Sequence, residues 1–358
     1  MQLGVRGNSE DDSNNIRNCT NVFSPTTNLS IRFYTVILLV SFLCVLAFFE
    51  NVFLAFVLFS RSQFRQSIIF YLAILSIFDF LLSPTLIATV VVQQLAEYFR
   101  LWSLYRIWTR YFPITLMLGN VGLTTSTFLI VIAGLETHFR LHINSGSWIC
   151  RLHQWMSHSR GSLSCLSLLF ACLIHGSMYW EMGTIEHQNC KGFDRFQVDQ
   201  VPLFNSYNFH VIWTFYFRNI CACLVPFIGL MYMLVIIFVR IRQATKEKLW
   251  SATRNLTDES VHVECMVVSC INKRDALVAA KELIFNVIEY LVSNVLNVIL
   301  IFWETFDPAS LQAVHMVNFY DFAADTVNIL TVFSRCLRLP VYCILNRDIR
   351  QAMSTSCY

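Results

Sequence analysis

The chain has 358 residues, of which 56% are hydrophobic and only 14% charged, and its mean hydropathy is +0.53. Soluble domains carry about 25% charged residues, so this composition excludes a soluble enzyme, and the high apolar content excludes a disordered chain. The net charge of +3 is too small to indicate a nucleic-acid partner, and the composition as a whole predicts an integral membrane protein.

The first 32 residues form a polar leader, which lacks the apolar stretch of a cleavable signal peptide. Two glycosylation sequons, at Asn18 and Asn28, predict glycans if the leader is extracellular. Cys19 in the leader and Cys190 after the fourth apolar stretch are the cysteines predicted to face an oxidising compartment. A disulfide between Cys19 and Cys190 and two separate thiols are equally compatible with the sequence.

Seven apolar stretches follow, each suited to cross the hydrocarbon core as a helix of about 20 mostly apolar residues. They cover residues 33–59, 67–92, 112–136, 162–180, 210–239, 282–302 and 314–345. The fourth stretch is the least apolar, because Ser, Cys and His residues interrupt it. The sequence therefore predicts an all-α membrane protein with a seven-transmembrane helix bundle over residues 33–345, whose predicted helices are spans one to seven.

The distribution of charge predicts the orientation, because Lys and Arg concentrate in loops that face the cytoplasm. If the leader lies outside, most of the 26 Lys and Arg residues fall in inner loops, while acidic residues are frequent in the outer segments. We therefore predict a multi-pass plasma-membrane protein with an extracellular leader over residues 1–32. An inner connector at about 240–281 and a cytoplasmic eighth helix and tail over residues 346–358 complete this prediction.

Motifs of catalysis are absent from the sequence. It contains no phosphate-binding GxxxxGK[ST] loop, no HExxH zinc motif and no GxSxG nucleophile motif. We therefore predict that the chain is not an enzyme and uses no cofactor or metal. Seven spans with short loops favour signal transmission, an inference by analogy of fold.

Several residues in the first three spans carry a resemblance to a known family. Span one contains Asn51, and the run that ends at Asp79 in span two is similar to a Leu-Ala-x-x-Asp signature. Span three contains Ser126 and ends with Glu136 and Thr137. These positions resemble the conserved Asn, the sodium-pocket Ser and the Glu/Asp-Arg-Tyr motif of rhodopsin-like G-protein-coupled receptors.

Spans five and seven extend the resemblance. Span five contains Pro226, and span seven ends in Arg338-Leu339-Pro340-Val341-Tyr342, which resembles Asn-Pro-x-x-Tyr. Residues 346–350 are similar to the start of the family's eighth helix, and residues 111–113, 178–181 and 205–244 resemble FMRFamide-type neuropeptide receptors of invertebrates. The resemblance implies an extracellular peptide ligand and a heterotrimeric G protein as partners.

The departures from the family fall on its activation machinery. Thr137 replaces the Arg that engages the G protein, and Val295 and Asn297 stand where span six has its switch Trp and its kinking Pro. The span-five Tyr and the Cys that opens span three are replaced by Leu234 and Phe112. Two alternatives to a peptide receptor therefore stay open: a small-molecule chemosensory receptor, with a tighter and more apolar cavity, and a non-signalling or decoy membrane protein.

Asp79 lies in the middle of span two, where an ionisable group is costly and usually functional. Arg335 and Arg338 in span seven are three residues apart and therefore lie on one helical face. We predict that one of them forms an ion pair with Asp79 in place of the family's sodium ion. The alternative is that both arginines extend to the lipid headgroups. Glu289 in span six is predicted to pack against other helices with a hydrogen bond.

The predicted ligand-binding residues lie near the outer ends of the spans and comprise Arg218, Glu304, Asp321 and Asp325. The acidic ones suit a cationic peptide terminus, which they would bind through charge-assisted hydrogen bonds. The alternative is internal, with Arg218 paired to one of these acids. At the opposite end, Glu136 is predicted to be a solvated edge charge close to Arg140.

Overall fold

The computed structural model describes residues 33–65, 67–141, 148–186, 192–200, 211–254, 263–307, 310 and 314–356. The predicted sequons at Asn18 and Asn28 and the predicted Cys19–Cys190 disulfide lie outside these residues. Within them the fold is an all-α bundle of seven long helices followed by a short terminal helix.

All seven long helices contain a window that is long and apolar enough to cross a membrane, which confirms the predicted number of spans. The bundle thus has the architecture of a multi-pass membrane protein. Its helices are α1 (Phe33–Ser60), α2 (Ile69–Tyr98), α3 (Trp102–Leu141), α4 (Arg160–Glu181), α5 (211–254), α6 (Val263–Phe306) and α7 (Val314–Leu345), and the terminal helix is α8 (Arg347–Ser356).

Some helices contain wider π-helical turns. These turns form Phe33–Val40 at the start of α1, Ile87–Val91 within α2, and Val211–Arg218 and Ile220–Leu224 in α5. The rest of α5 is α-helical over Val225–Arg254. Short helices at Ser62–Arg65 and Trp148–His158 lie in the connections from α1 to α2 and from α3 to α4. Because a π turn holds more residues than an α turn, it changes the face on which the following side chains lie.

The outer surface of the bundle is apolar, as expected for contact with lipid. On α1, Phe42, Phe49 and Phe56 are each more than 60% exposed and lie seven residues apart, so they form one stripe. Polar side chains are instead frequent among the buried residues, for example Asn51, Asp79 and Glu136. So many large apolar side chains on the outside are unusual for a soluble protein and support the assignment to the membrane.

A short antiparallel hairpin follows α4, with strands β1 (Met182–Glu186) and β2 (Phe196–Gln200). It packs on the start of α3, where the ring of Trp102 stacks on that of Phe196 at 5.3 Å and Thr184 Oγ1 donates to the Thr109 carbonyl. The sequence did not predict this hairpin. It marks one end of the bundle, called here the hairpin end, and α8 marks the other, called the α8 end.

Helix α8 packs back onto the bundle through one apolar face. Ile349, Ala352 and Met353 are buried in the main core, at the three- and four-residue spacing of a helical stripe. Asn346 begins the helix as an N-cap, since its Oδ1 accepts hydrogen bonds from the backbone N–H groups of Asp348 and Ile349. A helix is therefore present where the sequence placed the eighth helix.

Candidate functional site

A cavity of about 200 Å³ lies inside the bundle between α3, α4, α5, α6 and α7. Its lining is unusually polar for the interior of a membrane protein and includes five asparagines, namely Asn120, Asn219, Asn294, Asn297 and Asn328. The charged residues of the lining are three arginines, Arg218, Arg335 and Arg338, and one acid, Glu181. The cavity therefore reaches from the hairpin end to the residues around Asp79, and hydrogen-bonding groups line it throughout.

Near the hairpin end the cavity wall contains a buried ion pair between Arg218 of α5 and Glu181 of α4, called here the α4–α5 pair. Arg218 Nη2 donates to both Glu181 oxygens, at 2.6 and 2.7 Å. The same nitrogen donates to Ser177 Oγ at 2.9 Å, and this oxygen also accepts from Trp213 Nε1. The internal alternative for Arg218 was right in kind, but its partner is an acid that the sequence analysis did not consider for this role.

A break in α4 sets the position of Glu181. The helix is regular from Arg160 to His175, turns at Gly176 and Ser177, and resumes over Met178–Glu181. The Gly176 N–H donates to the Cys172 carbonyl at 2.7 Å, and a Cβ at Gly176 would lie 2.6 Å from that oxygen. Only glycine fits this close approach, so the turn that carries Ser177 and Glu181 to Arg218 depends on Gly176.

Deeper in the bundle, four charged side chains from three helices form a second group, called here the deep cluster: Asp79, Glu289, Arg335 and Arg338. Arg335 Nε donates to Asp79 Oδ1 at 3.0 Å, and Arg338 Nη1 donates to Asp79 Oδ2. All four residues are buried. The predicted ion pair is therefore present, and Asp79 binds both candidate arginines rather than one.

Glu289 of α6 completes the deep cluster, because its Oε1 accepts from Arg338 Nε at 3.2 Å. Arg338 thus bridges acids of α2 and α6, while Arg335 also donates from Nη1 to the Thr331 carbonyl of its own helix at 2.6 Å. With both acids ionised, two positive and two negative charges balance. Charges buried this deeply require such pairing, since an isolated one would be strongly unfavourable.

Four buried side chains of the cavity lining have a polar atom without a hydrogen-bond partner in the described part of the chain. These atoms are Ser126 Oγ, His175 Nδ1, Arg218 Nε and Asn328 Nδ2. The second ring nitrogen of His175 is satisfied by Thr124 Oγ1 at 2.8 Å. An unsatisfied buried group costs about 1–3 kcal/mol, so the cavity is suited to an occupant that bonds to them. Ser126 is the predicted sodium-pocket residue.

At the α8 end of α3, Glu136 is fully buried and forms an ion pair with Arg160 of α4, called here the α3–α4 pair. Arg160 Nε lies 3.2 Å from both carboxylate oxygens. The prediction of a solvated edge charge was therefore wrong, because α3 continues to Leu141 and keeps Glu136 inside the bundle. Burial lowers the pKa of His153, in the connecting helix beside this pair, below its ordinary value.

Thr137, next to the α3–α4 pair, is also buried. Its Oγ1 donates to the Ala133 carbonyl one turn earlier at 2.8 Å. The position where the family has its G-protein-engaging Arg thus carries a hydroxyl whose donor is satisfied within its own helix.

Other motif residues have structural contacts. Asn51 is buried and donates to the Ala47 carbonyl at 2.8 Å, and Pro226 is buried at the start of the α-helical part of α5. The buried Tyr342 hydroxyl donates to Asn286 Oδ1 at 2.8 Å, joining α7 to α6. Only one residue separates Tyr342 from Pro340, whereas Asn-Pro-x-x-Tyr requires two, so the match to that motif is incomplete.

The alignment of span six is also imperfect. Val295, matched to the switch Trp, is 44% exposed on the outside of the bundle, whereas Asn294 lines the cavity. One residue corresponds to about 100° of rotation on a helix, which accounts for the different faces.

Of the four predicted ligand-binding residues, only Arg218 is among those that line the cavity. Asp321 and Asp325 each follow a lining residue of α7, Tyr320 or Ala324, and the helical rotation between neighbours places them on the adjacent face. The side chain of Glu304 lies outside the described part of the structure. The expected wall of acids is thus replaced, in the described lining, by arginines and amides.

No protein-family model matches the chain, and no curated protein matches its sequence.

Proposed function

We propose that this protein is a plasma-membrane receptor that binds an extracellular ligand in the cavity and transmits binding to a G protein at the α8 end. In this proposal the hairpin end is extracellular and the α8 end cytoplasmic, as the distribution of Lys and Arg favours. The residues that resemble rhodopsin-like receptors and the presence of α8 support the same assignment.

One observation carries the proposal: a single cavity touches both the α4–α5 pair and the arginines of the deep cluster. A ligand in it would contact helices α3 to α7 at once. If it binds one arrangement of these helices more tightly than another, it shifts the population between them. The ion pairs that join α2 to α6 and α7 are suited to such a shift, because one arrangement of the helices brings the charged partners together and another separates them.

The ligand proposed is the polar terminus of a neuropeptide, of which one or two residues would fill about 200 Å³. The asparagines, serines and threonines of the lining suit the amide groups of a peptide. They do not match the more apolar cavity expected for a small-molecule chemosensory receptor. The acids proposed for a cationic peptide are mostly absent from the described lining, so recognition through backbone amides is the better-supported mode.

The test is to measure ligand binding and G-protein dissociation separately. Purified protein and cells with confirmed surface expression are challenged with the same panel of amidated neuropeptides. Binding is followed as a rise in thermal unfolding midpoint. We expect at least one peptide to give both responses. Binding without dissociation of the G protein would favour the decoy hypothesis. The absence of both binding and dissociation would contradict a peptide receptor.

A pair of matched variants tests whether the response uses the cavity. Ala222→Trp fills the cavity from α5, whereas Ile228→Trp adds the same ring to the outward face of that helix, where Ile228 is exposed. We expect Ala222→Trp to abolish both responses and Ile228→Trp to retain them.

Thr137→Arg, compared with Thr137→Leu, then tests coupling to the G protein. A gain of G-protein dissociation in the Arg variant alone would identify Thr137 as the cause of weak coupling.

A further inference from the structure

The deep wall of the cavity presents positive charge and hydrogen-bond donors. Arg335 and Arg338 line the cavity, whereas the two acids of the deep cluster, Asp79 and Glu289, do not. Both cations of the deep cluster therefore border the cavity, and neither of its acids does. An occupant of the deep end contacts residues that carry positive charge.

Each of these guanidinium groups has donors to spare. A guanidinium carries five N–H groups. Arg335 uses its Nε for Asp79 and its Nη1 for the Thr331 carbonyl, and Arg338 uses its Nε for Glu289 and its Nη1 for Asp79. In the described structure the Nη2 groups of both arginines make no hydrogen bond. Cationic donors next to a cavity bind acceptors with negative charge most strongly.

One further side chain of the lining adds an orphan group. Ser126 Oγ is buried without a partner among the described residues, and this residue is only 5% exposed. Its hydroxyl can donate to an acceptor. Ser126 lines the same cavity as Arg335 and Arg338. Its unmet donor therefore suits an acceptor in the cavity.

We propose that Arg335, Arg338 and Ser126 form an anion site at the deep end of the cavity, which binds a halide ion or a carboxylate. A cation is disfavoured there, since Asp79 already has two guanidinium partners and the cavity side of the cluster is positive. The anion is either a free ion such as chloride or a carboxylate carried by a larger cavity ligand. This site does not depend on the proposed receptor function.

Thermal unfolding of the purified full-length protein tests the site directly. The midpoint is measured during titration with sodium chloride, choline chloride and sodium acetate. We expect a saturable rise with both chloride salts, with acetate, or with all three, because an anion that binds only the folded state stabilises it. Chloride alone identifies a resident halide, acetate alone a carboxylate site, and both a general anion site.

Variants separate specific binding from a general effect of salt. Ser126→Asp places a negative charge in the site and should raise the anion concentration at half-effect at least about tenfold. Ser126→Ala removes one donor, and we expect a rise of about fivefold to tenfold. Asn120→Asp is the matched control and should change this concentration little, because Asn120 lines the cavity about 9 Å nearer the hairpin end than Ser126.

The proposal is overturned by any of three results. One is that no anion raises the midpoint of the unmodified protein. The second is that Ser126→Asp and Ser126→Ala respond to anions in the same way as the unmodified protein. The third is a rise with both sodium salts that choline chloride does not reproduce, which would identify a cation site. If Ser126→Asp does not fold, Ser126→Ala decides the question.

Discussion

The α4–α5 pair and the deep cluster both neutralise buried charges inside the bundle, but they do so in different ways. The α4–α5 pair joins two neighbouring helices through one arginine and one carboxylate, and both residues border the cavity. The deep cluster joins α2, α6 and α7 through two charges of each sign, and its acids do not border the cavity. Removal of Glu181 leaves one cation of the α4–α5 pair without its acid, whereas removal of Asp79 takes the shared partner from two arginines at once.

The largest effect is expected from Asp79→Asn, which removes the acid that contacts both arginines and leaves Arg335 with no ion-pair partner among the described residues. Loss of one partner of a buried ion pair typically costs about 3–5 kcal/mol. We expect a loss of this size in the free energy of unfolding, measured by denaturant titration in detergent.

Asp79→Asn combined with Arg335→Gln is the control, because it removes one charge of each sign and leaves Arg338 paired with Glu289. This double variant should be more stable than Asp79→Asn alone. Equal stability of Asp79→Asn and the unmodified protein would show that the ion pairs of the cluster do not stabilise the fold.

A smaller effect is expected from Glu181→Gln in the α4–α5 pair. Arg218 keeps its hydrogen bond to Ser177, and the cavity can supply water to the guanidinium, so we expect a loss of about 1–3 kcal/mol in the same titration. A loss as large as that of Asp79→Asn would break the distinction between the two regions. Glu186→Gln is a matched control, since Glu186 forms only an exposed pair with Arg195.

The smallest effect is expected within the deep cluster itself, from Glu289→Gln. Glu289 has Arg338 as its ion-pair partner, and Arg338 retains Asp79 as its counter-charge. The glutamine oxygen can still accept from Arg338 Nε, so we expect a loss of about 1 kcal/mol in the free energy of unfolding. A loss above that of Glu181→Gln would mean that Glu289, and not Asp79, is the principal counter-charge.

Much of the fold follows from local sequence. Hydropathy predicts all seven spans, because each helix must be apolar along about 20 residues regardless of its neighbours. The pairing of Asp79 with span seven was also predictable, since an acid in mid-membrane needs a cation and Arg335 and Arg338 share one helical face.

The partners of the other buried charges were not predictable in the same way. Arg160 lies 24 residues from Glu136, and Glu181 lies 37 residues from Arg218. Local spacing favoured Arg140 as the partner of Glu136, at the four-residue distance of one helical turn. The choice among several candidate partners depends on how far a helix extends and on which face it turns inward. The extension of α3 to Leu141 decides it for Glu136, and the turn at Gly176 decides it for Glu181.

The sequence by itself determined that the chain is a seven-helix membrane protein, because burial in lipid imposes a requirement on every stretch of about 20 residues separately. Only the tertiary structure decided which polar groups meet inside the bundle. It placed arginines and asparagines, rather than Asp321 and Asp325, around the cavity, since a rotation of about 100° per residue decides whether a side chain faces it. The orientation of each helix about its own axis is set by packing between helices, which no local pattern encodes.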